Sequence, residues 1–423
     1  MRWGQLRARL DDAFWVVPAA CVVSAGALAL ALIQLDESLQ RGGGGFFFAG
    51  GPSSARSLLG AISSSMLTLT ALVFSMTLVV LQLASSQFSP RVLRTFLHDR
   101  RIQLTLGVFT ATFVYALIVL REVRGEEGLL GSFVPGIAIS VAFALTVVSV
   151  AVLVAYINHI TQSIRVVNII AKIARETSDT IEREHDPDAE QSPVPDERLA
   201  PSRVLPAPRA GVVVVVQEDQ LVELARRAGA RLRLVPRVGD FVPRGAPLLE
   251  VRGGDGLDDE AVGKAVLLDP ERTVRQDVAF GFRQLVDIAE KALSPGINDP
   301  TTAVQCLDQI HDLLRQLSGR PYPSGAHLDE TGQLRLYVPS ACWDDHVSLA
   351  LDEVRHWGAG SLQIQRRMRS LLVDLLEVAP PGRRGSLARQ LELLEARAED
   401  LPRVERPRAE HTGGRGTSED RSA

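Results

Sequence analysis

A chain of 423 residues with 46% hydrophobic and 23% charged residues has room for two or three domains and is too apolar to be mainly disordered. A net charge of -4, with no basic run interleaved with aromatics, argues against a nucleic-acid partner. Three cysteines, Cys21, Cys306 and Cys342, are too scattered for a disulfide framework or a zinc site.

The apolar residues concentrate in the first 160 positions. Four stretches, residues 14–35, 58–84, 102–120 and 133–157, contain no Asp, Glu, Lys, Arg or His. Each has the length that a helix needs to cross a bilayer, about 20 residues. The first is longer than the apolar core of a signal peptide and reads as an uncleaved first helix. Residues 1–157 are therefore expected to form a transmembrane domain.

Cationic residues set its orientation, because short loops rich in Lys and Arg stay on the cytoplasmic side. Arg2, Arg7, Arg9, Arg91, Arg94, Arg100, Arg101, Arg165, Lys172 and Arg175 flank one side, against Arg41, Arg56, Arg121 and Arg124 on the other. Both termini are expected in the cytoplasm of a bacterial inner, or plasma, membrane. The first outer loop, with six glycines and Phe46, Phe47 and Phe48, reads as a flexible link.

The second span carries hydroxyls at helical spacing. Ser64, Thr68, Ser75 and Gln82 fall on one stripe, and Ser63, Thr70 and Thr77 on another. Small polar residues of this kind pack helices closely, or they line a path for a small solute or ion. Both readings stay open. No ionisable side chain falls within the four stretches, which argues against a proton-coupled pump or a voltage sensor.

Beyond the fourth span the helical pattern continues without Gly or Pro until Pro187, predicting one helix from membrane to cytosol with a stalk over residues 158–185. Ile157, Ile160, Ile164, Val167, Ala171, Ala174, Ser178 and Ile181 repeat in steps of three and four, a seam for the protein's own cytosolic part or for a homo-oligomer. Residues 186–208, rich in Pro and charge, read as a linker. Residues 209–256 read as a small β-rich module, locally similar to the biotinyl-lipoyl β-sandwich but without a lysine to carry a prosthetic group.

Residues 257–400 read as mostly helical with one hairpin around Gly332, and residues 401–423 as a disordered tail. Within the helical part, "SPGINDP" (residues 294–300) joins two helices. Pro295-Gly296 suits a turn with glycine at positive φ, Asp299 suits an N-cap, and Pro300 the first helical position. Ile297 and Asn298 have no such local explanation. A ligand site at this helix start would use Asn298 and Asp299 with Arg283 of the preceding helix, although Arg283 and Asp287 are also spaced as a helix salt bridge.

The runs "QDVAFGFRQLVDIAEKALSPGINDPTTAVQCLDQI", "GDFVPRGAPL" and "LTLTALVFSMTLVVLQLASSQFSPRVLRTFLHDRRIQLTLGVF" resemble bacterial predicted membrane proteins grouped as domain-of-unknown-function family 2254. The resemblance reaches from the second span to around Val378. It implies an integral inner-membrane protein with a cytosolic domain, and it transfers no catalytic residue.

His311, His327, His346 and His356 make no close metal spacing, and no phosphate-binding, dinucleotide or nucleophile motif occurs. Neither an enzyme nor a cofactor is expected. The fold class is an α-helical membrane protein with four transmembrane helices and a cytosolic α+β region, a small β-sandwich-like module followed by a mostly helical domain. The expected function is a channel or passive transporter regulated by that cytosolic region, assembled as a homo-oligomer in the lipid bilayer. The alternative is a membrane-anchored sensor of a small cytosolic ligand, or a scaffold, without transport.

Overall fold

The computed structural model describes residues 15–41, 50–87, 100–125, 133–163, 165–185 and 202–399. The described residues begin with four long helices, α1 (Val16–Arg41), α2 (Pro52–Gln87), α3 (Arg100–Glu122) and α4 (Gly136–Ser163). Their segments Val16–Leu39, Pro52–Gln82, Arg100–Glu122 and Gly136–Gln162 are long and apolar enough to cross a membrane. In lipid the backbone must satisfy its own hydrogen bonds, which is why such stretches are helical.

The four do not contribute equally. Of the most apolar stretch of α3, 61% is buried, against 22% for each of the others. Thus α3 is the centre of the bundle, packed against α1, α2 and α4. Phe109, Tyr115, Ala116 and Val119 have no exposed surface. At Gly107 the helices approach so closely that a Cβ would stand 2.9 Å from Cys21 Sγ and 3.2 Å from the Cα of Pro18. Glycine is what lets α1 lie against α3 at this crossing.

The expected unbroken helix from membrane to stalk is not found. Between α4 and α5 (Val166–Glu184), Arg165 adopts an extended conformation (φ -66°, ψ 121°). No glycine or proline marks the break. Instead the Asn168 side chain donates to the carbonyl of Gln162 (2.7 Å) and its amide to the carbonyl of Arg165 (2.9 Å), satisfying groups that the interrupted ladder leaves open.

The buried face of α5 comprises Ile169, Ile170, Ile173, Ala174, Thr177, Thr180 and Ile181. The expected seam is thus displaced: Ala174 and Ile181 belong to it, whereas Val167 is exposed. This face packs on α8 (Val278–Leu293) and α9 (Pro300–Ser318) of the same chain, numbered after α6 (Glu218–Ala228) and α7 (Asp259–Ala265). The Thr177 side chain fills the position that a Cβ of Gly281 would occupy, so this crossing too depends on a missing side chain. Around these helices, α10 (Trp343–Trp357), α11 (Leu362–Val378) and α12 (Arg384–Glu399) complete one hydrophobic core.

The strands form a second core, and only some of them lie within residues 209–256, where the β-rich module is expected. One sheet has the order β1 (Arg203–Pro206), β5 (Pro247–Arg252), β3 (Arg231–Leu234), β8 (Leu334–Tyr337), β7 (Ala326–Leu328). The other has the order β4 (Phe241–Val242), β2 (Gly211–Val216), β6 (Val266–Asp269). Strand β1 falls in the stretch expected to be linker. Strand β6 and the β7–β8 hairpin come from the part expected to be a separate helical domain, the hairpin joining through a parallel pairing of β3 with β8. Val213, Leu232, Leu249, Leu268 and Leu336 meet in one core with Leu221 and Ala225 of α6, which draws these distant strands together.

Candidate functional site

The two polar stripes of α2 separate in space. Ser63 and Thr77 are buried and Thr70 half-buried, facing the bundle. Thr77 donates to the carbonyl of Val73 (2.7 Å) and lies 2.7 Å from the hydroxyl of Tyr156 on α4. The Tyr156 hydroxyl also reaches the carbonyl of Val73 (3.3 Å), so both hydroxyls converge on that carbonyl. Thr112 and Ser149 pair across α3 and α4 at 3.2 Å, and Tyr115 donates to the carbonyl of Ala138 (2.9 Å). These hydroxyls bind helix to helix.

The other stripe points away from the bundle: Ser64, Thr68, Ser75 and Gln82 are all exposed. Ser57 and Ala71 extend the same face. Ser64 donates to the carbonyl of Ala61 (3.1 Å) and Thr68 to that of Ser64 (2.9 Å), so these hydroxyls are satisfied within their own helix. Next to Gln82, Leu81 packs against the hydrophobic core of α5 and α8 to α12, so α2 reaches from the bundle to the C-terminal region.

A charged residue missing from the sequence reading completes the bundle. Asp36 lies just past the first expected span, within α1, and is 5% exposed. Its carboxylate accepts the amides of Ile137 (3.0 Å) and Ala138 (2.9 Å), two of the donors that the first turn of α4 cannot satisfy internally. A carboxylate followed one hundred residues later by a helix start is no sequence signal.

The SPGINDP segment is a tight connector between α8 and α9. Ser294 caps α8 in extended conformation (ψ 148°). The left-handed residue is Asn298 (φ 48°), not Gly296, which corrects the expected turn and accounts for the asparagine. The amides of Ile297 and Asn298 both donate to the carbonyl of Ser294 (3.0 and 2.9 Å). Asp299 caps α9, accepting from the amide (3.1 Å) and hydroxyl (2.6 Å) of Thr302, and these bonds hold its carboxyl below the usual range. Ile297 is 46% exposed.

Arg283 does not join them. It lies ten residues before the end of α8, about 15 Å along the axis. There it meets Asp287 (2.6 Å), Glu290 (3.2 Å) and Glu353 of α10 (2.5 Å). Burial and the neighbouring charge of Glu353 push the Glu290 carboxyl up. The three expected ligand residues thus fall into a cap and a separate ion-pair cluster.

A buried aromatic cluster closes the end of α5, built from residues too far apart in sequence to be noticed. The rings of His185 and Tyr322 are 4.8 Å apart, and those of Tyr322 and His346 5.7 Å. Arg383 lies over Tyr322 (4.9 Å) and donates to the carbonyls of Leu317, Ser318 and Arg320 (2.6 to 2.8 Å), closing the end of α9. His185 donates from Nδ1 to the carbonyl of Pro321 (3.1 Å), and His346 to that of Cys342 (2.9 Å). Burial lowers the pKa of both, that of His185 to about 4. Among the described residues no group of three His, Cys, Asp or Glu side chains is placed to hold a metal ion.

Residues 11–374 match the family described as "Predicted membrane protein", domain-of-unknown-function family 2254. Uncharacterized proteins of Mycobacterium bovis and Mycobacterium tuberculosis are each 33% identical to the chain over 354 residues, which cover 81% of this chain and 68% of theirs. No solved structure matches it. With four apolar helices of membrane-crossing length and a family match over most of its residues, the chain belongs to this family of membrane proteins.

Proposed function

We propose that the protein is a channel or passive transporter of a bacterial inner membrane, built from several copies of the chain and regulated by its C-terminal region. The observation that carries the reading is the outward stripe of Ser64, Thr68, Ser75 and Gln82 on α2. Polar groups inside one bundle are used for packing, so a polar path needs the α2 helices of neighbouring copies around a common axis. Close approach along such an axis is favoured by small residues. The packing of Leu81 supports regulation, because a shift of the C-terminal core acts directly on α2.

In this reading both termini and the C-terminal region lie in the cytosol, supported by the cationic flanks. The two sheets there serve as a β-sandwich-like module beside the helical core, and the protein catalyses no chemical step. Flux of ions and small solutes through liposomes containing the full chain tests the proposal. Thr68→Leu and Ser75→Leu, which replace the stripe by aliphatic groups, are expected to abolish flux without loss of assembly.

A second reading, a membrane-anchored ligand sensor or scaffold, rests on the exposed Ile297 of the connector. Asp299 already occupies the first amides of α9, which leaves less of that helix start for an anion. Absence of flux under every gradient and ligand tested supports this reading over the first.

A further inference from the structure

A cleft of about 590 Å³ opens on the side of the bundle, walled by the first turns of α1, the middle of α2 and the early part of α3. Its lining is almost wholly apolar. The two threonines in the wall, Thr70 and Thr110, donate to the carbonyls of Met66 (2.7 Å) and Leu106 (2.8 Å), so they present methyl groups to the space. Such a lining offers no compensation to a dehydrated ion or polar solute. The space exists because Ala19 and Ala71 face it where larger side chains would close it.

The cleft runs from Trp15, 71% exposed at the start of α1, to Val23. Eight residues of helix rise about 12 Å, close to half of a hydrocarbon core about 30 Å thick. Tryptophan at the mouth suits the boundary between headgroups and acyl chains. With alternating spans, the start of α3 lies on the same membrane face as the start of α1, so Arg100 and Arg101, the latter 3.3 Å from His159 Nδ1, add positive charge at the headgroup level there alongside their protein contacts.

We propose that this cleft is a binding site for one acyl chain of an anionic phospholipid, taken from the leaflet at which α1 begins. The apolar wall holds the chain, the depth limits it to one leaflet, and the arginines favour a negatively charged headgroup. The proposal rests on the bundle alone; Ala71 borders the outward stripe of α2 as well as the cleft, whereas Ala19 of α1 does not, so Ala19→Phe tests the cleft separately from transport.

The test uses the full chain in phosphatidylcholine vesicles into which phosphatidylglycerol with brominated acyl chains is titrated. Bromine quenches indole fluorescence on contact, and the difference between the wild type and Trp15→Phe isolates Trp15. Saturable quenching is expected, half-complete at a several-fold lower brominated fraction than with brominated phosphatidylcholine. Ala71→Phe and, as an independent variant, Ala19→Phe are expected to turn it into the proportional quenching of bulk lipid. Proportional quenching in the wild type overturns the proposal, as does saturation unchanged in both filled variants. Absence of quenching at every fraction also overturns it and indicates that a second copy covers the cleft. Equal behaviour of the two brominated lipids removes the preference for an anionic headgroup.

Discussion

Asp36 and Ala138, separated by 102 residues, meet where the carboxylate of one accepts the amide of the other at 2.9 Å. The contact ties the end of α1 to the beginning of α4 and places a negative charge at the positive pole of that helix. Hydrogen bonds to a charged group are worth about 1.5 to 3 kcal/mol each when both partners are otherwise buried. Asp36→Ala is therefore expected to lower stability by on the order of 2 kcal/mol, and Asp36→Asn by less, because one oxygen remains to accept. Thermal unfolding of the detergent-solubilised chain measures both; equal stability of Asp36→Ala and the wild type contradicts the assignment.

The crossing of α1 and α3 makes a steric prediction. Gly107→Ala sets a methyl group against Cys21 and Pro18, and overpacking of this kind costs about 1 to 3 kcal/mol. Adding Cys21→Ala should recover part of the loss by removing the Sγ contact, whereas the contact with Pro18 remains. A double-mutant cycle in unfolding midpoints reads this coupling, and strict additivity would count against close packing here.

For the connector, backbone conformation decides. Asn298→Gly keeps the left-handed angle available and should leave stability almost unchanged, whereas Asn298→Val should cost on the order of 1 kcal/mol or more. Asp299→Ala removes the cap of α9 and should cost about 0.5 to 2 kcal/mol. Melting temperatures of the three variants give the order Asn298→Gly above Asp299→Ala and Asn298→Val; a low-melting glycine variant would assign the asparagine side chain a role of its own.

Acidification should loosen the end of α5. The pKa of His185 is lowered from 6.5 to about 4, first by burial and then by the nearby His346, Arg383 and Arg320. Stability that depends on a neutral His185 is complete above pH 6.5 and is lost as the pH falls towards 4, to a limit on the order of 3 kcal/mol. Burial lowers the pKa of His346 in the same direction, with Asp345 and Arg237 acting on it. Glu184 and Glu218, pushed up to about 6 by burial, work oppositely, since acidification from 6 to 4.5 relieves their ionisation. The comparison is therefore between proteins: His185→Phe is expected to show a smaller fall in unfolding temperature between pH 7.5 and 5 than the wild type. An identical fall in both assigns the acid sensitivity elsewhere.

What the sequence discloses depends on how local the physics is. Four apolar stretches announce themselves, since a helix in lipid must be apolar along its whole length. The caps at Asp299 and Pro300 are equally legible, each acting within three residues. The turn before them is less legible: glycine is the usual left-handed residue, and here asparagine takes that place. Long-range pairing is where legibility ends. A four-residue strand such as β1 gives too short an alternation to separate from linker, and nothing local shows that Leu232 will lie beside Leu336. The same holds for the polar stripes of α2. Their spacing put Ser64, Thr68, Ser75 and Gln82 on one face, but only the placement of α3 and α4 determines that this face points outward.

The two helices that lead towards the C-terminal region differ in mechanical character. One is jointed: α4 gives way to α5 at Arg165, where the backbone is extended. The other is a single shaft. At 36 residues α2 measures about 54 Å, well beyond the bilayer interior, with no joint between Ser64 and the seat of Leu81. Its two ends are seated in different cores, Ala55 and Leu59 in the bundle and Leu81 against the C-terminal helices, so one rigid rod spans both.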